Sequence, residues 1–266
     1  MPRESQTVTA LTRGLSVLET FARLGHSLSL AQVARELALP KSTIFRLMNS
    51  LVSLGYLEQP VKGGPYNLGP RVLGLGFAVL QGLDVREAAL PHMERLFAQV
   101  KETVNLSILD RNEIIYVARV RKQDILSLNL FVGSRLPLYS SSPGRLLLAY
   151  LPAAERERVI KRLEADPEVA RWLASRGVDL RALCDQVRAQ GLAVNDGEYL
   201  PELFALSAPV LDMNGLARAA LSIPCLKRGQ PAEVLCARLA QPLKDCAARI
   251  SALLGYGAER QLRPET

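Results

Sequence analysis

Soft metal ligands are scarce in this chain: four cysteines (Cys184, Cys225, Cys236, Cys246) and two histidines (His26, His92) in 266 residues. The cysteines are scattered and none forms a C-x-x-C pair, which excludes a zinc framework or a disulfide scaffold and reads as reduced thiols. No metal site and no cofactor are expected. Long apolar runs are missing too. No stretch approaches the ~18 residues that a membrane span needs, and the N-terminal MPRESQTVTA lacks the apolar core of a signal peptide. The expectation is a cytoplasmic protein without a membrane partner. Phosphate-cradling motifs are absent: there is no P-loop and no G-x-G-x-x-G after a strand. A hydrolase would have to use Ser140, Ser141 or Ser142 as nucleophile and Asp196 with Glu198 as a carboxylate pair. Yet SSSPG is not G-x-S-x-G, and neither histidine is placed to act as a held base. No catalytic residue is assigned.

Positive charge, by contrast, is in modest excess. The net charge is +7, and 266 residues leave room for two domains. Up to Leu80 the chain carries eight basic and four acidic residues, so more than half the excess lies in under a third of the length. Such a balance suits a polyanionic partner.

Within that basic third, two amphipathic segments stand close together. Leu30, Val33, Ala34 and Leu37 recur at i, i+3, i+4, i+7, and Ser29 with Gln32 can close a capping box ahead of them. Ala38-Leu39-Pro40 breaks the pattern, which restarts with Ile44, Leu47, Met48 and Leu51. The second helix presents Lys41, Ser42, Thr43, Arg46, Asn49 and Ser50 on its other face, with no acidic residue among them. This is the pattern of a helix-turn-helix, whose second helix enters the DNA major groove. Arg46 is suited to a guanine edge or a phosphate. A helix over Thr9 to Arg23 precedes the pair, with Leu11, Leu15, Leu18 and Ala22 as its buried stripe and Arg13 standing off it. Extended runs at Tyr56 to Gln59 and Tyr66 to Leu68 flank a Gly-rich turn and predict a hairpin wing, with Lys62 at its tip.

Pro70 to Leu83 is apolar nearly all round (Val72, Leu73, Leu75, Phe77, Val79, Leu80) and predicts a helix buried on several sides, suited to linking and dimerisation. Asp84 is expected to cap the next helix, with its stripe at Val85, Ala89, Met93, Leu96 and Val100. Beyond Lys101 the texture is mixed: strands at 103–109, 113–120 and 125–131, then helices from about Gly144, over 152–163 and over 179–190. A central strand at 216–223 and a closing helix at 231–254 follow, the helix with Val234, Ala237, Leu243, Ala247 and Ile250 apolar. The fold class is α+β.

Six segments taken in order resemble the IclR-type bacterial transcription regulators. They are LTRGLSVLETF (11–21), LPKSTIFRLMNSL (39–51), GYL with YNLG (55–57, 66–69), ETVNLSILD (102–110), RLPLYSSSPGRLLLAYL (135–151) and GLAVNDGEYLPELFALSAPVLD (191–212). The resemblance implies a winged helix-turn-helix over 1–69, a linker helix over 70–83, a GAF-like effector-binding domain with a central antiparallel sheet over 84–258, and a tail over 259–266. It also implies a double-stranded operator and a homodimer or homotetramer. DNA contacts fall on Arg13, Lys41, Ser42, Thr43, Arg46, Asn49 and Lys62. The effector pocket would be lined by Leu128, Ser140, Ser141, Ser142, Asn195, Ala205, Ser222 and Pro224, with Leu130 and Leu138 nearby. A serine-rich loop entering a helix N-terminus is suited to a carboxylate. Members that bind small 2-oxo acids carry aspartate, cysteine and serine where this chain has Asn195, Ala205 and Pro224. The expected effector is therefore a larger, more apolar organic acid, aromatic ones included. A ligand-insensitive architectural DNA-binding protein, with SSSPG serving only to cap a helix, is the alternative.

Overall fold

A computed structural model of the chain describes residues 7–25, 27–121, 130–198 and 200–257. They form two compact units, 1–82 and 83–266. No described helix is long and apolar enough to cross a membrane.

The first unit contains α1 (Thr9–Leu24), β1 (Ser27–Leu28), α2 (Leu30–Glu36), α3 (Lys41–Ser53), β2 (Leu57–Glu58), β3 (Tyr66–Leu68) and α4 (Arg71–Gln81). The predicted capping box is formed: Ser29 N–H donates to Gln32 Oε1 at 2.8 Å and Gln32 N–H to Ser29 Oγ at 3.3 Å. Val33, Ala34, Ile44 and Met48 are buried with Val17, Phe21, Leu28, Leu57 and Tyr66 in one core. The stripe of α1 differs from the prediction. Val17 and Phe21 face the core, whereas Leu11 and Leu15 are 63% and 52% exposed. The helix is apolar on two adjacent faces, and periodicity alone favoured the wrong one. The wing is a three-stranded sheet in the order β1-β3-β2, closed on one side by the short β1 that the sequence reading missed. Gly69 follows it, where a Cβ would lie 2.3 Å from the Gly55 carbonyl oxygen, so only glycine fits. In this single chain α4 is not buried on several sides as predicted: Leu73, Leu75 and Val79 are all more than half exposed.

The second unit contains α5 (Asp84–Val100), β4 (Val104–Asp110), β5 (Glu113–Val120), β6 (Arg135–Pro137), α6 (Ser142–Tyr150), α7 (Ala153–Glu164), α8 (Pro167–Arg176), α9 (Leu180–Gln190), β7 (Ala193–Asp196), β8 (Leu203–Leu211), β9 (Ala217–Leu226) and α10 (Ala232–Leu253). Six strands form one antiparallel sheet in the order β6-β5-β4-β9-β8-β7. Because side chains alternate along a strand, its two faces separate cleanly. Leu106, Phe204, Leu206, Ala208, Leu221 and Ile223 lie on the side covered by α5 and α10. Ser107, Tyr116, Ser207, Ala220 and Ser222 lie on the side covered by α6. Helices α7, α8 and α9 pack outside α6 around Leu146, Leu148, Ile160, Leu173 and Leu180.

Several local expectations change. Residues 125–129 of the predicted third strand lie outside the described residues, and Leu130 and Phe131 are not in a strand; β5 pairs instead with Arg135–Pro137. Leu83, not Asp84, occupies the cap of α5, and Asp84 stands in its first turn, where its charge suits the helix dipole. On α10 Leu235 and Leu239 are buried in place of Val234 and Ala237, one and two positions further along the helix. Helix α8 was missed, although Asp166-Pro167-Glu168 is a start signal: Asp166 Oδ1 accepts from Glu168 N–H and Val169 N–H.

Candidate functional site

In the first unit Lys41, Ser42, Arg46, Asn49 and Ser50 are exposed along α3, and Thr43 is half-buried. Pro40 at the cap offers no side-chain acceptor, so the first N–H groups of α3 are not satisfied by a capping side chain. Arg13 is exposed on α1, and Lys62 is exposed in the turn between β2 and β3. Gln59 Nε2 closes that turn by donating to the Gly64 carbonyl at 3.0 Å. Arg13, Lys41, Arg46 and Lys62 carry no ion pair among the described residues, whereas Arg23 pairs with Glu36 at 2.7 Å and Arg71 donates to the Leu54 carbonyl. Phe45, beside Arg46, is half exposed and went unnoticed in the sequence reading.

In the second unit the rungs of the sheet bring distant residues together. Asn195, Ala205 and Pro224 are aligned across β7, β8 and β9, and the next rung aligns Ala193, Ser207 and Ser222. Above these rungs runs the loop into α6, and between loop and sheet lies a cavity of about 240 Å³. Seven of the eight sequence-predicted effector residues line it: Ser140, Ser141, Ser142, Asn195, Ala205, Ser222 and Pro224. Leu128 lies outside the described residues. Leu130 lines the cavity as well, while Leu138 is fully buried in the core beneath. Sequence reasoning missed Tyr116, Leu136, Pro137 and Leu203, which supply much of the apolar wall. The alternation of Tyr116 with Ile114 on β5 was the available signal for the first of these.

The serine loop is tied internally. Ser141 caps α6: its Oγ accepts from Gly144 N–H at 3.2 Å and donates to the Pro137 carbonyl at 2.7 Å. Ser207 Oγ donates to Ser142 Oγ at 2.9 Å. Asn195 Nδ2 donates to the Ser140 carbonyl at 2.7 Å, and Asn195 Oδ1 accepts from Glu198 N–H. A Cβ at Gly144 would lie 2.6 Å from Leu138 Cα, so the first turn of α6 can approach the loop only as glycine. Burial pushes the Tyr116 phenol up to about 12, against the opposing charge of Arg119, so it stays a neutral hydroxyl at physiological pH.

Behind the β7–β8 segment Arg145, 3% exposed, holds Glu198 through both terminal nitrogens, while its Nε donates to the Tyr139 carbonyl at 2.8 Å. Its guanidinium carbon lies 5.7 Å from the centre of the Trp172 ring, and Trp172 meets Tyr139 edge-on at 5.1 Å. Asp196 pairs with Lys227. The two carboxylates considered for a hydrolase are therefore each neutralised by a cation instead of facing a nucleophile. His92 sits on α5, and His26 lies outside the described residues.

With this geometry in view, comparison with known proteins gives a consistent result. Residues 10–60 match the IclR helix-turn-helix domain and residues 77–252 match the bacterial transcriptional regulator IclR C-terminal domain. The chain is 33% identical to the Pca regulon regulatory protein of Pseudomonas putida over 81% of its own length and 74% of the relative's. Among solved structures, an IclR family transcriptional regulator from Brucella abortus is similar at a TM-score of 0.78, with 29% identity and 95% of each chain covered. An IclR homolog from Microbacterium hydrocarbonoxydans complexed with 4-hydroxybenzoate is similar at 0.74, with 28% identity, 93% of this chain and 99% of that one covered. The relatives carry names of transcription regulators, not of enzymes. The chain belongs to the IclR family of bacterial transcriptional regulators and is a DNA-binding regulator of transcription.

Proposed function

We propose that this regulator's hold on its operator is controlled by a small organic acid bound in the cavity between the Ser140–Ser142 loop and the sheet. The observation that carries the reading is that cavity, whose walls are apolar (Leu130, Leu136, Leu203, Pro224) but include hydroxyls and a buried phenol. Such a lining suits an acid with an apolar or aromatic body. The 4-hydroxybenzoate held by the Microbacterium homolog supports the aromatic choice. The residues that replace polar groups, Ala205 and Pro224, disfavour a small 2-oxo acid.

On this reading 1–69 binds DNA, with Arg46 and Asn49 reading bases, Lys41, Ser42, Thr43 and Lys62 holding phosphates, and Arg13 adding to the backbone contacts. Residues 70–83 link and dimerise, drawing on the exposed Leu73, Leu75 and Val79, and 84–258 bind the effector. Effector binding shifts the balance between two arrangements of a homodimer or homotetramer. The shift is limited to the effector's differential affinity for them, a coupling of about 1–3 kcal/mol.

The test combines two measurements on the full chain. A thermal-shift screen of aliphatic and aromatic carboxylic acids identifies ligands of the folded state, and operator binding is then titrated with and without each hit. Operator affinity should change roughly 5- to 150-fold with a hit, and Arg46→Ala should weaken operator binding in both conditions. Operator binding that ignores every stabilising acid would instead support the architectural alternative, to which the tightly bonded Ser141 cap already lends some weight.

A further inference from the structure

One residue of the cavity lining, Ser222, belongs to a rung of the sheet that carries further polar side chains. Asn105 on β4 is paired directly with Arg119 on β5 and with Ser222 on β9. Residues paired in this way project from the same face with Cβ atoms about 4.5–5.5 Å apart. The bulge in the β4–β5 ladder at Leu106/Ser107 also puts Tyr116, opposite Ser107, on the face that carries Arg119. The Arg119 guanidinium carbon lies 5.5 Å from the centre of the Tyr116 ring. Tyr116 and Ser222 line the cavity; Asn105 and Arg119 are not among its lining residues, but on the same rung Asn105 stands next to Ser222 and Arg119 next to Asn105.

Each of the three has buried polar atoms without a hydrogen-bond partner. Asn105 is fully buried, yet neither its Nδ2 nor its Oδ1 has a hydrogen-bond partner. Ser222 is 2% exposed and its Oγ is unpaired. Arg119 Nε and Nη1 are buried without a partner, and Arg119 has no ion pair among the described residues. Buried polar groups are nearly always hydrogen-bonded, so three adjacent exceptions in one rung, beside a cavity, call for a ligand. Their donors are an arginine fork, an amide N–H and a hydroxyl, which together match the acceptor-only oxygens of a carboxylate. The serine loop, in contrast, has already engaged its Ser141 and Ser142 hydroxyls.

We propose that the acid group of the effector is held by Arg119, Asn105 and Ser222, with its apolar body lying over Tyr116 toward Leu136, Leu203 and Pro224. The proposal rests on the effector reading of this cavity and reverses its polarity: the acid head points to β4 and β5, away from the N-terminus of α6. The required ligand is thus a monoacid whose charge is recognised by arginine.

The full-length protein is titrated calorimetrically with benzoate, 4-hydroxybenzoate, phenylacetate and hexanoate and with their primary amides. Whichever acid binds should be preferred over its amide, and Arg119→Gln should weaken the acid roughly 30-fold or more while leaving the amide within a few-fold. Arg119→Lys should recover part of the preference, and Ser222→Ala should weaken the acid more than the amide. Ser140→Ala should keep the preference, since no acid oxygen meets that hydroxyl. Binding of no acid by the parent protein overturns the effector reading and this proposal with it. Acid binding whose preference over amide survives in Arg119→Gln and vanishes in Ser140→Ala overturns this proposal alone.

Discussion

Replacing Glu198 by alanine removes a carboxylate from an almost fully buried arginine. Arg145 is 3% exposed, and Glu198 occupies both its terminal nitrogens. After the substitution the guanidinium keeps only its bond to the Tyr139 carbonyl and its contact with the Trp172 ring. Breaking a buried pair from one side costs about 3–5 kcal/mol. The Glu198 side chain is itself 26% exposed, so water can reach the vacated site, which argues for the lower end, about 3 kcal/mol. For a unit of this size each kcal/mol lowers Tm by about 2–4 °C. The expected fall is therefore roughly 6–12 °C. Trp172 is the single tryptophan of the chain and lies against the pair, so its fluorescence during thermal unfolding reports the second unit alone. A double variant, Arg145→Met with Glu198→Leu, should regain most of the loss, because an apolar pair leaves no charge stranded. A Tm within 2 °C of the parent for Glu198→Ala would refute the reasoning and show Arg145 finding water or a new acceptor.

Two further outcomes follow from the surface charge and the thiols. Lys62→Ala should weaken binding to all DNA sequences about equally and reduce the slope of log K against log salt by about one for each wing that touches the backbone; an unchanged slope would remove the wing tip from the interface. Burial pushes the Cys184 and Cys246 thiols up to about 11, so at pH 8 roughly one in a thousand is thiolate, and Cys225 is also buried. Only Cys236 should react quickly with a disulfide reagent in the native protein, and Cys236→Ser should abolish that fast phase. Rapid labelling of two or more thiols would contradict the packing around them.

The legible parts of this chain are those whose signals are local. Ser29, Gln32 and the 3.6-residue spacing of Val33, Ala34, Ile44 and Met48 are all read within one turn or two, and α2 and α3 formed where those signals placed them. The exposed cations of α3 were legible for the same reason. On α1 the spacing of Leu11 and Leu15 was as good as that of Val17 and Phe21, and only tertiary packing chose between them. The short strand Arg135–Pro137 has too few residues to show a period and owes its conformation to pairing with β5. At the cavity the serines were legible as a loop, but that Ser141 caps α6 depends on Pro137 and Gly144 arriving beside it. The rung of Arg119, Asn105 and Ser222 was beyond reach: its members are up to 117 positions apart, and a bulge resets the alternation between two of their strands.

The ends of the large sheet have a consequence for how copies of this chain can meet. Among the described residues its edges are β6, three residues finishing in Pro137, and β7, four residues finishing at Asp196. Proline presents no N–H to a newcomer, and so short an edge offers few unpaired groups. The sheet is therefore a poor template for strand-by-strand growth into aggregates, even though its interior strands, β8 and β9, are long and apolar. Any pairing of copies would therefore have to rest on exposed side chains instead of on backbone hydrogen bonds at these edges.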